Sequence, residues 1–369
     1  MSRSVIVIGG GVIGLSIAYQ LQRNDFQVTL LEKGRCGGQA SGAAAGMLAP
    51  FSEIGEDQDD FFRLCVTSLG LFKEWQSNIK EDSNIDFEFS ESGSLHVVFH
   101  EADVLALKGR LSWQKKWATS ARMLSGEEAR ELEPALSKEV LAAMYYPEES
   151  HVYAPAYVKS LEEACRKVGV KIIEDTGQIY IHTEKNSTYV SAQNGGTWQA
   201  DEYVCAQGAW GKELEETLGV SLPIFPIRGQ ICAYQGYAES VNHIVYSSQG
   251  YLVPKENGTL INGASEDIAG FQTTVTEKGI ERLTNWNHKL FPFLKEIDPF
   301  HTWAGLRPAT LDGYPLIGKL KEHPHITVAL GHYRNGILLS PVTAHIVTSI
   351  LKNEKTITPI DLFNPERFS

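Results

Sequence analysis

The stretch VIVIGGGVIGLSIAYQL, Val5–Leu21, followed by VTLLEK with Glu32 near its end, decides the reading of this chain. An apolar strand runs into a glycine turn, a helix opens near Val12, and a second strand ends in an acid. A dinucleotide asks for this layout. Gly9 permits the tight turn, Gly11 lets backbone approach a pyrophosphate, and Gly14 allows the helix to pack closely on the strand. The phosphates would then face the free N–H groups at the positive end of the helix. Glu32 stands about 20 residues beyond the glycines, where a carboxylate can accept hydrogen bonds from ribose hydroxyls. A structural glycine turn in another α/β unit is the plain alternative. The turn alone leaves nicotinamide and flavin both open.

Length and charge narrow the partner. The chain has 369 residues, 43% hydrophobic and 21% charged, which suits a globular protein of two domains sharing one cofactor cleft. A net charge of −12 without a basic stripe argues against nucleic acid or an anionic membrane and for a small molecule. The first strand runs directly into the glycine turn without a signal peptide's pattern, and no run of about 18 apolar residues occurs. A cytoplasmic protein is expected. Cys36, Cys65, Cys165, Cys205 and Cys232 form no C-x-x-C pair and read as free thiols. The histidines of HPH, His323–His325, read as loop residues, so no metal is expected.

Further along, GRCGGQASGAAAGMLAP (Gly34–Pro50) is either a flexible linker or a backbone cradle. Its alanines and its Met47–Leu48 end favour the cradle, since small residues permit close backbone approach. The acidic run Glu53–Asp60 reads as the solvated start of an amphipathic helix carrying Phe61, Phe62, Leu64, Leu69, Leu71, Phe72 and Trp75. Alternating segments from Phe87 predict antiparallel strands. A helical stretch is expected over Glu101–Leu132 and another over Ala156–Val168, then a strand VKIIE, a hairpin around Tyr189 and Trp198, and a strand YVCAQGAW whose Gly208 brings backbone close to a neighbour. Residues Ile224–Gly263 return to strand character. Near the C-terminus, WAGLRPATLDGYPLIG (Trp303–Gly318) precedes ITVALGHYRNGILLSPVTAHIVTSIL (Ile326–Leu351), a strand, a glycine loop and a long helix. The N–H groups of Asn335, Gly336 and Ile337 at that helix start would offer positive potential to an electron-rich ring, which favours a flavin.

Taken in order, GGGVIG with Glu32, SGAAAGML, YVCAQGAW, AGLRPATLDGYPLIG and GHYRNGILLSP resemble the flavin-dependent glycine oxidases associated with thiamine biosynthesis, within the group holding D-amino-acid oxidase and sarcosine oxidase. The resemblance spans essentially the whole chain. It implies an α/β fold, with a Rossmann-like FAD domain on a parallel sheet (1–85, 150–220 and 302–369) and a substrate domain on a mainly antiparallel sheet (86–149 and 221–301). It also implies oxidation of glycine, sarcosine and small D-amino acids with peroxide release, and a homotetramer. By the same resemblance Gly9, Gly11, Val12, Ile13, Gly14 and Glu32 hold the ADP half of FAD. Ser41, Ala45, Gly46, Met47, Gln178, Gly208, Asn335, Gly336 and Ile337 complete the cofactor site. Arg307 would bind the substrate carboxylate, with Tyr251 and Arg334 beside it.

Read from the residues alone, Arg307 serves equally well as a structural arginine bonding loop carbonyls. Tyr251 could be an ordinary sheet residue, and Arg334 a brace of its turn. Two positions depart from the relatives. Gln249 stands where some carry histidine, so it can hydrogen-bond but not titrate. Glu266 falls near a position some fill with methionine; lining the pocket, it would favour cationic groups and disfavour extra anions, and a surface role is the alternative. Because no cysteine follows Cys232, attachment through a C-terminal cysteine is ruled out and FAD is expected to be noncovalent. No side-chain acid or base is expected to act.

Overall fold

Strand Ser4–Ile8 nucleates the first of two main sheets, pairing in parallel with Gln27–Leu31 on one side and Glu202–Cys205 on the other. Lys171–Ile173 and Ile326–Leu330 extend it in parallel, and Leu316–Lys319 closes one edge antiparallel. The computed structural model describes residues 2–54, 58–117, 120–184 and 187–369. Val5, Ile6, Val7 and Ile8 are all buried, as a central parallel strand covered on both faces requires. The helices Val12–Gln22, Gly336–Lys352, Asp60–Ser83 and Ala154–Val168 pack against one another on this sheet. The third begins where the Asp59 carboxylate accepts from Phe62 N–H at 2.8 Å and ends at Asn84, in the left-handed region. Asp59 thus belongs to the acidic run as a cap. Glu56 and Asp57 of that run lie outside the described residues.

The second sheet has eight strands, in the order His301–Thr310, Ile224–Gln235, Thr259–Gly263, Gly250–Pro254, Ile244–Ser247, Ser94–Val98, Ala142–Tyr146 and Arg122–Ser125. All neighbours are antiparallel except Ile244–Ser247 with Ser94–Val98. Two expectations change here. The helix expected over Glu101–Leu132 divides into helices Glu101–Gln114 and Gly126–Leu132 with a strand between them. Ser125 and Glu128 form a reciprocal capping box that restarts the helix, while Arg122–Ser125 completes the sheet edge. The segment from 302 to 310, expected with the nucleotide domain, pairs along the whole strand Ile224–Gln235, from Ile224 opposite Thr310 to Ala233 opposite His301. A ladder of that length fixes it in the second sheet, and the chain rejoins the first only at Leu316.

The hairpin around Tyr189 and Trp198 forms a small separate sheet. Ser150–Val152 joins Met47–Leu48 and Phe89–Ser90 in another. Strand His301–Thr310 meets the Gly34–Pro50 stretch where Trp303 Nε1 donates to Ala43 O at 3.0 Å and Gly305 leaves room for Ala43; a Cβ at 305 would come within 2.8 Å of the Ala43 methyl. Among the described residues no helix is long and apolar enough to cross a membrane.

Candidate active site

A cavity of about 830 Å³ runs from the glycine turn to the face of the eight-stranded sheet. That volume is large for a ligand pocket, which commonly measures roughly 300–1,000 Å³. Its first wall is the turn itself. Gly9 has φ +107°, and a Cβ there would meet Ala206 O at 2.5 Å. At Gly14 a Cβ would stand 1.8 Å from Gly9 O, so the helix can approach the strand only because position 14 has no side chain. Gly14 itself stays behind the lining, while Gly9, Gly11, Val12, Ile13 and Glu32 face the cavity. Val12 N–H donates to Ser41 Oγ at 2.9 Å, which ties the helix start to the small-residue stretch.

Glu32 is engaged at both oxygens, accepting from Gly10 N–H at 2.6 Å and Gly34 N–H at 2.9 Å. A carboxylate offers about four acceptor positions, so it braces the turn and retains capacity for hydroxyls in the cavity. Beside it, Lys33 places its ammonium 3.2 Å from the centre of the Trp210 ring, and Gln178 donates to Glu213. Gln178, Gly208, Lys33 and Trp210 all line this end. The last pair is invisible to motif reading, because Lys33 and Trp210 meet only through the sheet order.

The Gly34–Pro50 stretch is held rather than slack. Gly37 N–H bonds Gly10 O, Gly42 N–H bonds Gly37 O, and Val152 N–H bonds Gly46 O, each at 2.9 Å. Gly46 has φ +81°, and a Cβ there would lie 2.0 Å from Val152 O. Ser41, Ala45, Gly46 and Met47 therefore present backbone and small side chains to the cavity. Across from them, Gly336 and Ile337 open the helix Gly336–Lys352 at the cavity wall. Asn335 differs from expectation: its N–H donates to His332 O at 2.9 Å, so the turn consumes it and the residue stands outside the lining. Burial lowers the His332 pKa to about 3 and Thr343 Oγ1 lies 3.0 Å from its Nε2, so the imidazole is neutral and occupied.

The far end is floored by four adjacent strands. Arg307 reaches across Gly229 of the neighbouring strand, where a Cβ would lie 2.5 Å from Cζ. Tyr251 lies over Gly263, where a Cβ would stand 2.5 Å from its hydroxyl. Two strand glycines thus clear the space in which a guanidinium and a phenol converge. Arg307 Nη1 donates to Ser265 O at 2.8 Å, which fixes the fork and leaves other N–H donors for a ligand. Burial pushes the Tyr251 pKa up to about 12, partly countered by Arg307. The phenol therefore keeps its proton, and its capacity to donate, throughout ordinary pH. Tyr251→Phe is expected to lower kcat/KM for a carboxylate substrate about tenfold, the value of one such hydrogen bond, with no alkaline limb from Tyr251 in the parent profile below about pH 11. Steady-state rates across pH check both.

Arg334 meets Glu266 at 3.1 Å, Glu53 at 3.3 Å and the Tyr246 hydroxyl at 3.5 Å. The Glu53 charge raises its pKa further. Gln249 and Glu266 line the same end. Glu53, expected in a solvated helix start, is instead a mostly buried partner of Arg334. Its position depends on Glu149, a fully buried carboxylate that accepts from Phe51 N–H at 2.6 Å, Ser52 N–H at 2.8 Å, Ser52 Oγ at 2.6 Å and also from Ser94 Oγ. Glu149→Ala would leave these donors unmatched and is expected to cost about 3 kcal/mol or more, read as a lowered denaturation midpoint.

FAD fits this lining. The glycine cradles leave space that a Cβ would fill, a helix start faces each half of the cavity, and the far end closes on a cation and a neutral phenol. Comparison with known proteins agrees. A family model described as FAD dependent oxidoreductase matches residues 4–350. The glycine oxidase of Geobacillus kaustophilus is 32% identical over 365 residues, covering 98% of this chain and 96% of that protein. The bifunctional protein ThiO/ThiG of Synechocystis is 33% identical over 371 residues, 99% of this chain but 54% of that longer protein. The crystal structure of the Geobacillus kaustophilus glycine oxidase superimposes with a TM-score of 0.94 at 29% identity, covering 99% of both chains. With a match over nearly its full length and a cavity shaped for the cofactor, the chain belongs to the FAD dependent oxidoreductase (DAO) family.

Proposed function

We propose that this chain oxidises glycine, and with it sarcosine and small D-amino acids, through a noncovalently held FAD. The observation that carries the reading is the Arg307–Tyr251 pair converging over Gly229 and Gly263 at the end of the dinucleotide cavity. Arg307 holds the substrate carboxylate by charge-assisted bonds and Tyr251 adds a hydroxyl donor. Together they fix Cα, and orientation accounts for much of the rate. Bound FAD supplies the two-electron acceptor for the hydride that leaves Cα. Carbon therefore loses no proton to the protein, and the surrounding groups suit that. Glu53 and Glu266 are paired with Arg334, and His332 is neutral and bonded. The Gly336–Ile337 helix start offers positive potential to the ring that gains electron density.

The balance is amine plus O2 plus water giving 2-oxo acid, ammonia or an amine, and hydrogen peroxide. The names of the full-length glycine oxidase relatives support glycine as substrate. The ThiO half of the bifunctional relative supports a role in supplying glycine imine for thiamine thiazole synthesis. A homotetramer in the cytoplasm completes the reading. Anaerobic mixing with glycine is expected to bleach the yellow protein, followed by stoichiometric peroxide when air is admitted. A flavin band that survives saturating glycine would sink the proposal. Bleaching without oxygen uptake would instead mark a dehydrogenase that passes electrons to a carrier.

A further inference from the structure

Arg282, Arg307 and Arg334 all line the cavity; Arg282 is paired with Asp267 at 2.8 Å, and the surroundings of the other two differ. Arg307 meets a carbonyl oxygen of Ser265, and no carboxylate lies within ion-pair distance of it among the described residues. Arg334 meets two carboxylates, through Nη1 to Glu266 and through Nη2 to Glu53, with the Tyr246 hydroxyl as a further neighbour. Glu266 also engages the Tyr333 hydroxyl, so it is held from two sides. The two sites therefore have opposite character. Arg307 presents a net positive charge, while the Glu53–Arg334–Glu266 group sums to one negative charge. Glu53 is mostly buried and fixed through the Glu149-bonded segment, whereas Glu266 is about half exposed at 47%. Glu266 is the member whose removal would change the charge without disturbing that buried segment.

We propose that Glu266 is a specificity-determining residue that occupies Arg334 and so bars it from serving as a second carboxylate site. This rests on the amine-oxidase reading above. The enzyme then takes amino acids with one carboxylate at Arg307, tolerates neutral or cationic substituents on the amine, and rejects anionic ones. A second carboxylate approaching the rim would meet two fixed negative charges and one positive charge already shared between them, and like charges at a partly desolvated contact are strongly selective. Without Glu266 the group becomes neutral and Arg334 Nη1 is freed for an incoming carboxylate.

The test compares wild-type, Glu266→Gln and Glu266→Met holoenzymes with three N-substituted glycines: sarcosine (neutral), iminodiacetate (anionic) and N-(2-aminoethyl)glycine (cationic). The readout is the ratio of kcat/KM values within each protein, which cancels general changes in activity. The ratio of iminodiacetate to sarcosine is expected to rise at least about tenfold in both variants. The ratio of the aminoethyl substrate to sarcosine is expected to fall several-fold. Ratios that stay within about twofold of wild type would overturn the proposal, as would loss of FAD from both variants, which would make Glu266 structural. A parallel anaerobic titration of flavin absorbance with the unreactive ligands acetate and malonate needs no turnover. There, the preference for malonate over acetate should rise about tenfold in Glu266→Gln. Should glycine fail to bleach the flavin and wild type oxidise none of the three amines, the amine-oxidase reading fails, and this titration still decides the role of Glu266.

Discussion

Arg307→Ala is expected to lower kcat/KM for glycine by about a thousandfold, within a range of roughly 100- to 10,000-fold, while the purified protein stays yellow. Two charge-assisted hydrogen bonds to a carboxylate are worth about 1.5–3 kcal/mol each, and each 1.4 kcal/mol is tenfold. The loss should appear in kcat as well as KM, because a substrate no longer clamped at its carboxylate presents Cα in many orientations. Arg307 lies at the opposite end of the cavity from Glu32 and the glycine turn, so flavin content should hold. Arg307→Lys should recover only part of the rate, since an ammonium lacks the planar fork. Stopped-flow reduction by glycine, with flavin absorbance as the control, measures the effect. A variant within tenfold of wild type would remove Arg307 from the carboxylate site.

Gly14→Ala is expected to yield a protein with little or no bound flavin and a melting temperature lower by roughly 6–12 °C. One methyl group would stand 1.8 Å from the carbonyl oxygen of Gly9, a backbone atom that cannot swing aside. The helix Val12–Gln22 must then lift from the strand Ser4–Ile8, and the N–H groups of the turn move with it. Overpacking at a backbone contact costs about 3 kcal/mol, and each kcal/mol is worth roughly 2–4 °C in a chain of this scale. The ratio of flavin to protein absorbance, followed by a thermal melt with and without added FAD, checks both halves. Retention of full flavin content would show that the turn has slack that its geometry denies.

Legibility in the sequence followed the range of the interactions. The glycine turn, Glu32 and the Gly34–Pro50 cradle depend on neighbours close in sequence or on the absence of side chains, and a local pattern reveals them. Arg307 and Tyr251 drew attention through family resemblance, but the reason they can converge did not. Gly229 and Gly263 matter because of strand register, each lying beneath a side chain from an adjacent strand. Register between segments far apart leaves no local trace. Glu53 looked like one of several solvated acids, since nothing nearby reveals the distant Arg334 it faces. Glu149 was hidden for the same reason, since the donors it meets, from Phe51, Ser52 and Ser94, are distant in sequence. The restart of the helix at Ser125 carries a local S-x-x-E signature that the single helical stretch expected over Glu101–Leu132 passed over. Asn335 misled because a helix start was taken to leave its amide free, whereas the preceding turn takes it.

The Trp303–Ala43 bond and the close fit of Gly305 against Ala43 bear on how firmly the site is set. They join strand His301–Thr310 of the eight-stranded sheet to the short helix Ala40–Ala43 of the cradle. The same strand carries Arg307, so the carboxylate-binding guanidinium and the small-residue cradle are set against one another. The Arg334–Glu266 pair lies in the same lining and is held by its own bonds, so the shape offered to an incoming amino acid is set in advance of its arrival.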